Sequence, residues 1–346
     1  MIIKVLYTNY SDTAITGGQI YEQSLFNIIK KNKNVSDFKI IETGMEKGLF
    51  TSITNISKLK KTDIVFFNSS KSHYWLLLVL LMRLFIKTKI VVIHHHNLYE
   101  EFKGIKRFIF YIFEMSLLLL SHRIIIPSPY IYHKFDKICF TKKRVLIKIP
   151  FYSNEKVEKH AVDNKTLDLI YIGTIEERKG LIYLLQALNT LKIDYNESYN
   201  LSIIGKTIKK DYYKELKKYI KTNDLNVDFK GFVTDKEKHK LLCNSKLFVF
   251  PSLLEGYGMV MIEAMQYGLP VIAFDNSAMP FVISDGINGL IAKNKNADDF
   301  ALKIHKVLND KDLYNRLSLS ALKTFKNSQS HKDFELDINS LLDIFK

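Results

Sequence analysis

The residues best suited to chemistry lie in one run, Pro251 to Ile272, reading Pro-Ser-Leu-Leu-Glu-Gly-Tyr-Gly-Met-Val-Met-Ile-Glu-Ala-Met-Gln-Tyr-Gly-Leu-Pro-Val-Ile. A β-branched and aromatic stretch, Leu247 to Phe250, stops at Pro251. A loop then carries Glu255, and a helix-forming stretch carries Glu263 as far as Gly268. This places two carboxylates at the carboxyl end of a strand and on the helix that follows it, which is where open α/β sheets bind ligands. Gly256 and Gly258 allow backbone amides to approach an anion closely, and the helix N-terminus favours a phosphate there. A second group, Gly173-Thr-Ile-Glu-Glu-Arg178-Lys179-Gly180, also follows a strand and opens a helix. Two adjacent cations at a helix start oppose the helix dipole, so a bound anion is a reasonable explanation for them, although a solvated basic turn is the better account of an Arg-Lys pair alone. A third group, His94-His95-His96-Asn97, ends another strand. Neighbouring strand residues point to opposite faces, so three successive histidines do not readily converge on one metal ion.

Taken together, the run P-S-x-x-E-G-Y-G-x-x-x-x-E-A-M-x-x-G-x-P-V resembles the E-x7-E signature of retaining glycosyltransferases of the GT-B fold, glycosyltransferase family 4 (group 1) in particular. Gly173 to Gly180 looks like the same family's G-x-x-x-x-R-K-G element. The likeness covers nearly all of the second half of the chain and is patchy in the first.

The resemblance implies that Arg178 and Lys179 grip the diphosphate of a UDP- or GDP-sugar donor, that Glu255 contacts hydroxyls of the donor sugar, and that Glu263 bonds the ribose. It assigns Gly256, Tyr257 and Gly258 to the donor loop. It also lines the nucleotide pocket with Gly173, with Gly205 of Ile204-Gly205-Lys206, and with Phe232 and Val233 after Gly231. Gly17 and Gly18, ahead of a helix expected over 19 to 31, correspond to a glycine-rich loop whose amides close over diphosphate or acceptor. Relatives carry a histidine near the strand end at 94 to 96 that faces the donor sugar, which selects His95 or His96. The chain departs from the family at Pro280-Phe281, where Pro-Glu is common. No cofactor and no metal is implied.

The elements that must position these groups alternate. Strands are expected at 2–8, 38–42, 63–68, 89–94, 123–127 and 144–149. Helices are expected at 19–31, near 52–60, at 73–86 and at 101–120. A polar stretch from Phe151 to Thr166 reads as a linker. Beyond it come strands at 168–172, 200–204, 227–229, 246–250 and 270–274, with helices at 179–191, 211–222, 235–243, 258–267, 297–309 and 311–325. Such alternation predicts parallel sheets covered by helices. The expected architecture is therefore α/β, GT-B, with two Rossmann-like domains facing across a cleft. Residues 1–160 would be the acceptor-binding domain and 161–330 the nucleotide-sugar domain, with 331–346 a helix returning to the first.

Composition adds partners and location. The chain has 346 residues and a formal net charge of +15. Residues 1–165 hold 26 Lys+Arg against 13 Asp+Glu, and residues 166–346 hold 25 against 23, so the excess is amino-terminal. No recognition-helix, zinc or aromatic RNA-binding motif accompanies it, which argues against nucleic acid. An anionic membrane surface fits better, because the same half contains the apolar runs Tyr74 to Ile86 and Phe108 to Leu120. Each is well short of the ~20 residues needed to span a bilayer. Lys103, Lys106 and Arg107, beside the second run, are the expected membrane-facing cations. The alternative is a lysine-rich composition with both runs in the core. Met1 to Asn9 turns polar too soon for a signal peptide, so a cytoplasmic protein on the inner face of the membrane is expected. Cys139 and Cys243 suggest packed thiols and no disulfide.

The reading that follows is sugar transfer from a nucleotide diphosphate sugar to a glycan or lipid-linked acceptor in surface polysaccharide, lipopolysaccharide or glycolipid synthesis. Its rivals are an epimerase-like nucleotide-sugar enzyme on the same fold and a non-catalytic partner subunit.

Overall fold

A computed structural model of the chain describes residues 1–7, 17–42, 59, 61–69, 72–95, 97–135, 143–151 and 165–345. The helix expected near 52–60, most of the linker, His96 and Cys139 lie outside the described residues. Two compact units are present: Met1–Pro150 with Gln329–Lys346, and Phe151–Ser328.

In the first unit, the strands are β1 (Ile2–Tyr7), β2 (Asp37–Glu42), β3 (Ile64–Asn68), β4 (Lys89–Ile93), β5 (Arg123–Ile126) and β6 (Arg144–Leu146). They form one parallel sheet in the order β2-β1-β3-β4-β5-β6. Its helices are α1 (Gly17–Lys31), α2 (Ser72–Phe85), α3 (Gly104–Leu120) and the short α4 (Pro129–Lys134). Four of the five residues of β3 are buried, and all but the first of β4 and β5 are, as a parallel sheet covered on both faces requires. The carboxy-terminal helix α12 (His331–Asp343) belongs to this unit. Ser330 caps it by accepting from the Asp333 amide, and Phe334 packs edge-on against Tyr21 of α1 with ring centroids 5.5 Å apart.

The second unit contains β7 (Leu167–Ile172), β8 (Leu201–Ile204), β9 (Val227–Gly231), β10 (Ser245–Phe250), β11 (Val271–Phe274) and β12 (Gly289–Ala292). They form a parallel sheet in the order β12-β11-β10-β7-β8-β9. The connecting helices are α5 (Leu181–Asp194), α6 (Lys210–Thr222), α7 (Asp235–Asn244), α8 (Met259–Gln266), α9 (Met279–Val282), α10 (Ala297–Asn309) and α11 (Lys311–Lys326). Helix α5 buries Leu181, Leu184, Leu185, Leu188 and Leu191, a spacing that presents one apolar face. Thr234 and Glu237 form a capping box at α7.

This order is the doubly wound Rossmann arrangement, and it reverses direction between β7 and β10. The loops after those two strands are therefore held side by side. In the first sheet the reversal lies between β1 and β3.

Several expectations need correction. Gly17 and Gly18 are the first two residues of α1 and do not precede it. Arg178 and Lys179 occupy a 3₁₀ turn, Glu177–Lys179, and the helix begins only at Leu181. Helices α4 and α9 and strand β12 were not anticipated: α4 and α9 have only six and four residues, and β12 four, too few to show a period. Helix α3 begins at Gly104, which leaves Lys103 as its extended N-cap, so Lys103 does not share a helical face with Lys106 and Arg107.

Candidate active site

The loops after β7 and β10 meet in the second unit because Gly180 is glycine. Its φ is +65°, and a Cβ there would lie 2.1 Å from the Pro251 carbonyl oxygen. The contact is sealed by the Leu253 amide, which donates to the Arg178 carbonyl at 2.9 Å. Gly205 performs the same service one strand over. At φ +149° it leaves no room for a Cβ, which would sit 1.9 Å from the Gly173 carbonyl oxygen.

This meeting brings the first two sequence groups together. Lys179 donates to Glu255 Oε1, and its ammonium also lies 5.5 Å above the centre of the Phe250 ring. Ser252 Oγ donates to the same carboxylate oxygen at 3.3 Å. Arg178 donates through Nη1 to the Leu254 carbonyl at 2.8 Å and through Nη2 to Glu176 at 2.9 Å, and the same Nη1 lies 3.9 Å from Glu255 Oε1. Two cations thus share two carboxylates, an arrangement near electrical balance into which an anionic ligand can exchange. The Glu255 amide is held by Ser277 Oγ at 3.1 Å, and Ser277 adopts φ +43°, a conformation costly for a residue with a side chain. Beneath the loop, burial and then the charge of Glu255 push the Tyr171 phenol well above its ordinary range, and its hydroxyl donates to the Thr174 carbonyl at 3.1 Å.

Glu263, on α8, faces Lys238 of α7 at 3.5 Å. Burial pulls the Lys238 ammonium down, but Glu263 and Asp235 more than offset this and hold it above its ordinary value. Gly258 caps α8 at φ +80°. Tyr257 packs against Phe151 with centroids 6.1 Å apart, and burial raises its phenol to about 12. Phe232, at the end of β9, is 84% exposed, with Val233 half-buried beside it. Phe281, at the family's usual glutamate position, is a half-exposed residue of α9.

The histidine run divides. His94 is fully buried, with Nδ1 2.8 Å from Ser69 Oγ and Nε2 3.0 Å from Asn97 Oδ1, and it lies 3.5 Å from Glu114. Its role is to fix the strand ends. His95 points the other way, onto α1, where its ring covers Gly18 and meets Tyr21 edge-on at 5.6 Å. Among the described residues no three His, Cys, Asp or Glu side chains form a group that could hold a metal ion.

Sequence reading missed Glu22, Glu176, Ser252, Lys238 and Ser277. Glu176 and Ser252 sit inside the quoted motifs and could have been noted; the other three become visible only when the chain folds back on itself.

Residues 153–324 match the family model "Glycosyl transferases group 1". The two parallel six-stranded sheets give the chain the GT-B fold, and its residues 153–324 are similar to glycosyl transferases group 1.

Among curated proteins, the chain is 31% identical over 144 residues to an uncharacterized 41.2 kDa protein in the cps region of Klebsiella pneumoniae. It is 27% identical over 262 residues to the capsular polysaccharide biosynthesis glycosyltransferase CapM of Staphylococcus aureus. It is 32% identical over 142 residues to O-antigen chain mannosyltransferase B of Escherichia coli. These alignments cover 42%, 71% and 41% of this chain, and 37%, 68% and 36% of the relatives, so the chain spans little more than a third of the first and third. Anabaena HepE, solved with UDP and glucose, superposes with a TM-score of 0.77 at 17% identity, over 99% of this chain and 100% of its own. Sucrose-phosphate synthase of Thermosynechococcus elongatus gives 0.79 at 16%, over 99% and 98%.

Proposed function

We propose that this chain is a retaining glycosyltransferase that moves a sugar from a nucleotide diphosphate sugar to an acceptor hydroxyl in the synthesis of a surface polysaccharide, lipopolysaccharide or glycolipid. The observation that carries the reading is the convergence of Arg178, Lys179 and Glu255 at the β7/β10 reversal, from segments 76 residues apart. The relatives named for capsule and O-antigen synthesis support the product class. The neighbour solved with UDP and glucose supports a nucleotide-sugar donor.

In this reading the anomeric carbon–oxygen bond breaks and the departing nucleoside diphosphate takes the electron pair. Arg178 and Lys179 bind its oxygens, with Lys179 exchanging Glu255 for phosphate. The freed Glu255 accepts from sugar hydroxyls, and Glu263 accepts from the ribose. The acceptor oxygen attacks on the face the diphosphate leaves, and its proton passes to a diphosphate oxygen. Side-chain cations stabilise the developing charge without a metal ion, so transfer survives EDTA. A panel of UDP-, GDP- and ADP-sugars in thermal-shift measurements tests the donor, since a ligand at ~100 times its Kd adds ~2.7 kcal/mol of stability. No stabilisation by any of them would overturn the reading.

The acceptor side involves a membrane. Helix α3 buries Glu114 together with Met115, Leu117 and Leu118, and exposes an apolar stripe nearer its start: Ile105 is 77% and Phe108 62% exposed, with Ile109 and Ile112 continuing it. Leu84 and Phe85 at the end of α2 are exposed too. Lys103, Lys106 and Arg107 flank the stripe, and all three are exposed. An apolar face edged with cations suits the headgroup region of an anionic bilayer. Among the described residues no helix is long and apolar enough to cross one.

A further inference from the structure

Glu22 is a carboxylate at 2% exposure on α1, and neither motif nor family likeness marks it. Three donors converge on it. Tyr7, the last residue of β1, donates to Oε2, and Asn68, the last residue of β3, donates to Oε1. His95 Nε2, just past β4, lies 2.8 Å from Oε1. These strands are adjacent in the sheet and include the β1/β3 reversal, so one carboxylate ties together three strand ends at the place where such a sheet binds ligands.

An ionised carboxylate only accepts hydrogen bonds, and a buried one is kept where donors surround it. Tyr7 and Asn68 hold Glu22 independently of the imidazole. The imidazole therefore gains most from the contact: its Nε2 must carry the proton. His94 next door has both nitrogens engaged at 0% exposure, whereas the His95 side chain keeps 15% exposure, and its Nδ1 has no hydrogen-bond partner among the described residues. The edge of Tyr21 and the bare backbone of Gly18 close in on the ring.

We propose that Glu22 is the positioning residue of His95: its carboxylate fixes the imidazole as the Nε2–H tautomer and leaves Nδ1 as a hydrogen-bond acceptor for a ligand hydroxyl at the β1/β3 reversal of the first unit. That the ligand is a substrate of transfer rests on the transferase reading above; the tautomer does not.

Ring ¹⁵N NMR of histidine-labelled protein, with the His95 signals assigned by their loss in His95→Asn, reads the tautomer directly. The wild type is expected to show Nε2–H alone. Glu22→Gln keeps the shape but offers an amide that donates as well as accepts, so a tautomer mixture is expected, with kcat down by as much as ~100-fold, the cost of misplacing a substrate contact by about 1 Å. Asn68→Ala, which removes a different partner of Glu22, should leave the tautomer unchanged. In a His95→Asn background, Glu22→Gln should cost nothing further. An Nδ1–H tautomer in the wild type, or an equal kcat loss from Glu22→Gln in both backgrounds, overturns the assignment. A protein inactive with every donor yet showing Nε2–H counts against the transfer reading and leaves the Glu22–His95 assignment standing.

Discussion

Lys179 and Glu255 bond one another across 76 residues of sequence, and each is the other's ionic partner at the point where the loops after β7 and β10 touch. The pair sits on the rim of a sheet whose inner strands, β7, β8, β10 and β11, are largely buried. Its geometry is therefore set by the core beneath it.

Breaking this clamp should affect turnover far more than folding. Charge-assisted hydrogen bonds contribute ~1.5 to 3 kcal/mol each, so Arg178→Ala or Lys179→Ala is expected to lower kcat at least about tenfold. Steady-state transfer by variants checked for a wild-type circular dichroism spectrum measures this. Near-wild-type turnover in either folded variant would sink the diphosphate role.

Gly180 tests the backbone contact instead of the charges. Left-handed backbone costs a residue with a Cβ ~1 to 2 kcal/mol, before any clash with the Pro251 carbonyl. Gly180→Ala should therefore lower the Tm by roughly 2 to 8 °C and reduce transfer with it. Calorimetry that finds an unchanged Tm would mean the two loops do not need this approach.

His122 gives the first unit a pH dependence. Its Nδ1 accepts from the Ile90 amide at 2.9 Å, and Arg83 lies 2.7 Å from Nε2. Burial, followed by the charges of Arg83 and Lys89, lowers its pKa to about 4. The unfolded chain titrates this residue near ~6.5, so between those values the unfolded state binds more protons. Stability is thus fully present above ~6.5 and falls as the pH drops toward 4. Urea midpoints measured across that window should decline, and His122→Gln should flatten the decline. Identical pH slopes for the two proteins would assign the effect elsewhere.

Membrane attachment predicts co-sedimentation with anionic and not zwitterionic vesicles, with release as salt rises. Each cation near an anionic surface contributes ~1 kcal/mol, and exposed charges are screened beyond ~8 Å at physiological ionic strength. Replacing Lys103, Lys106 and Arg107 with Ala should weaken binding. Replacing Phe108 and Ile112 with Ser should weaken it at every salt concentration while sparing transfer to a short soluble acceptor. Equal sedimentation with both vesicle types would remove the electrostatic part of the proposal.

By itself, the sequence determined the alternation of elements and the two loops of the second unit. Their periodicity and their glycines are local: Gly173, Gly180, Gly256 and Gly258 announce tight turns wherever the chain goes. Tertiary structure decided what the loops hold. Sheet order put β7 beside β10, so Lys179 met Glu255, while Ser277 arrived from beyond β11 to secure the Glu255 amide. It also separated His94 from His95, because neighbouring residues at a strand end face opposite sides: one entered the core and the other met Glu22. Helix α3 shows the limit most clearly. Its apolar run reads equally well as core or surface, and only packing shows that the buried side carries Glu114 while Phe108 faces outward. Sequence spacing fixes which residues share a face; the neighbours supplied by topology fix which face is covered.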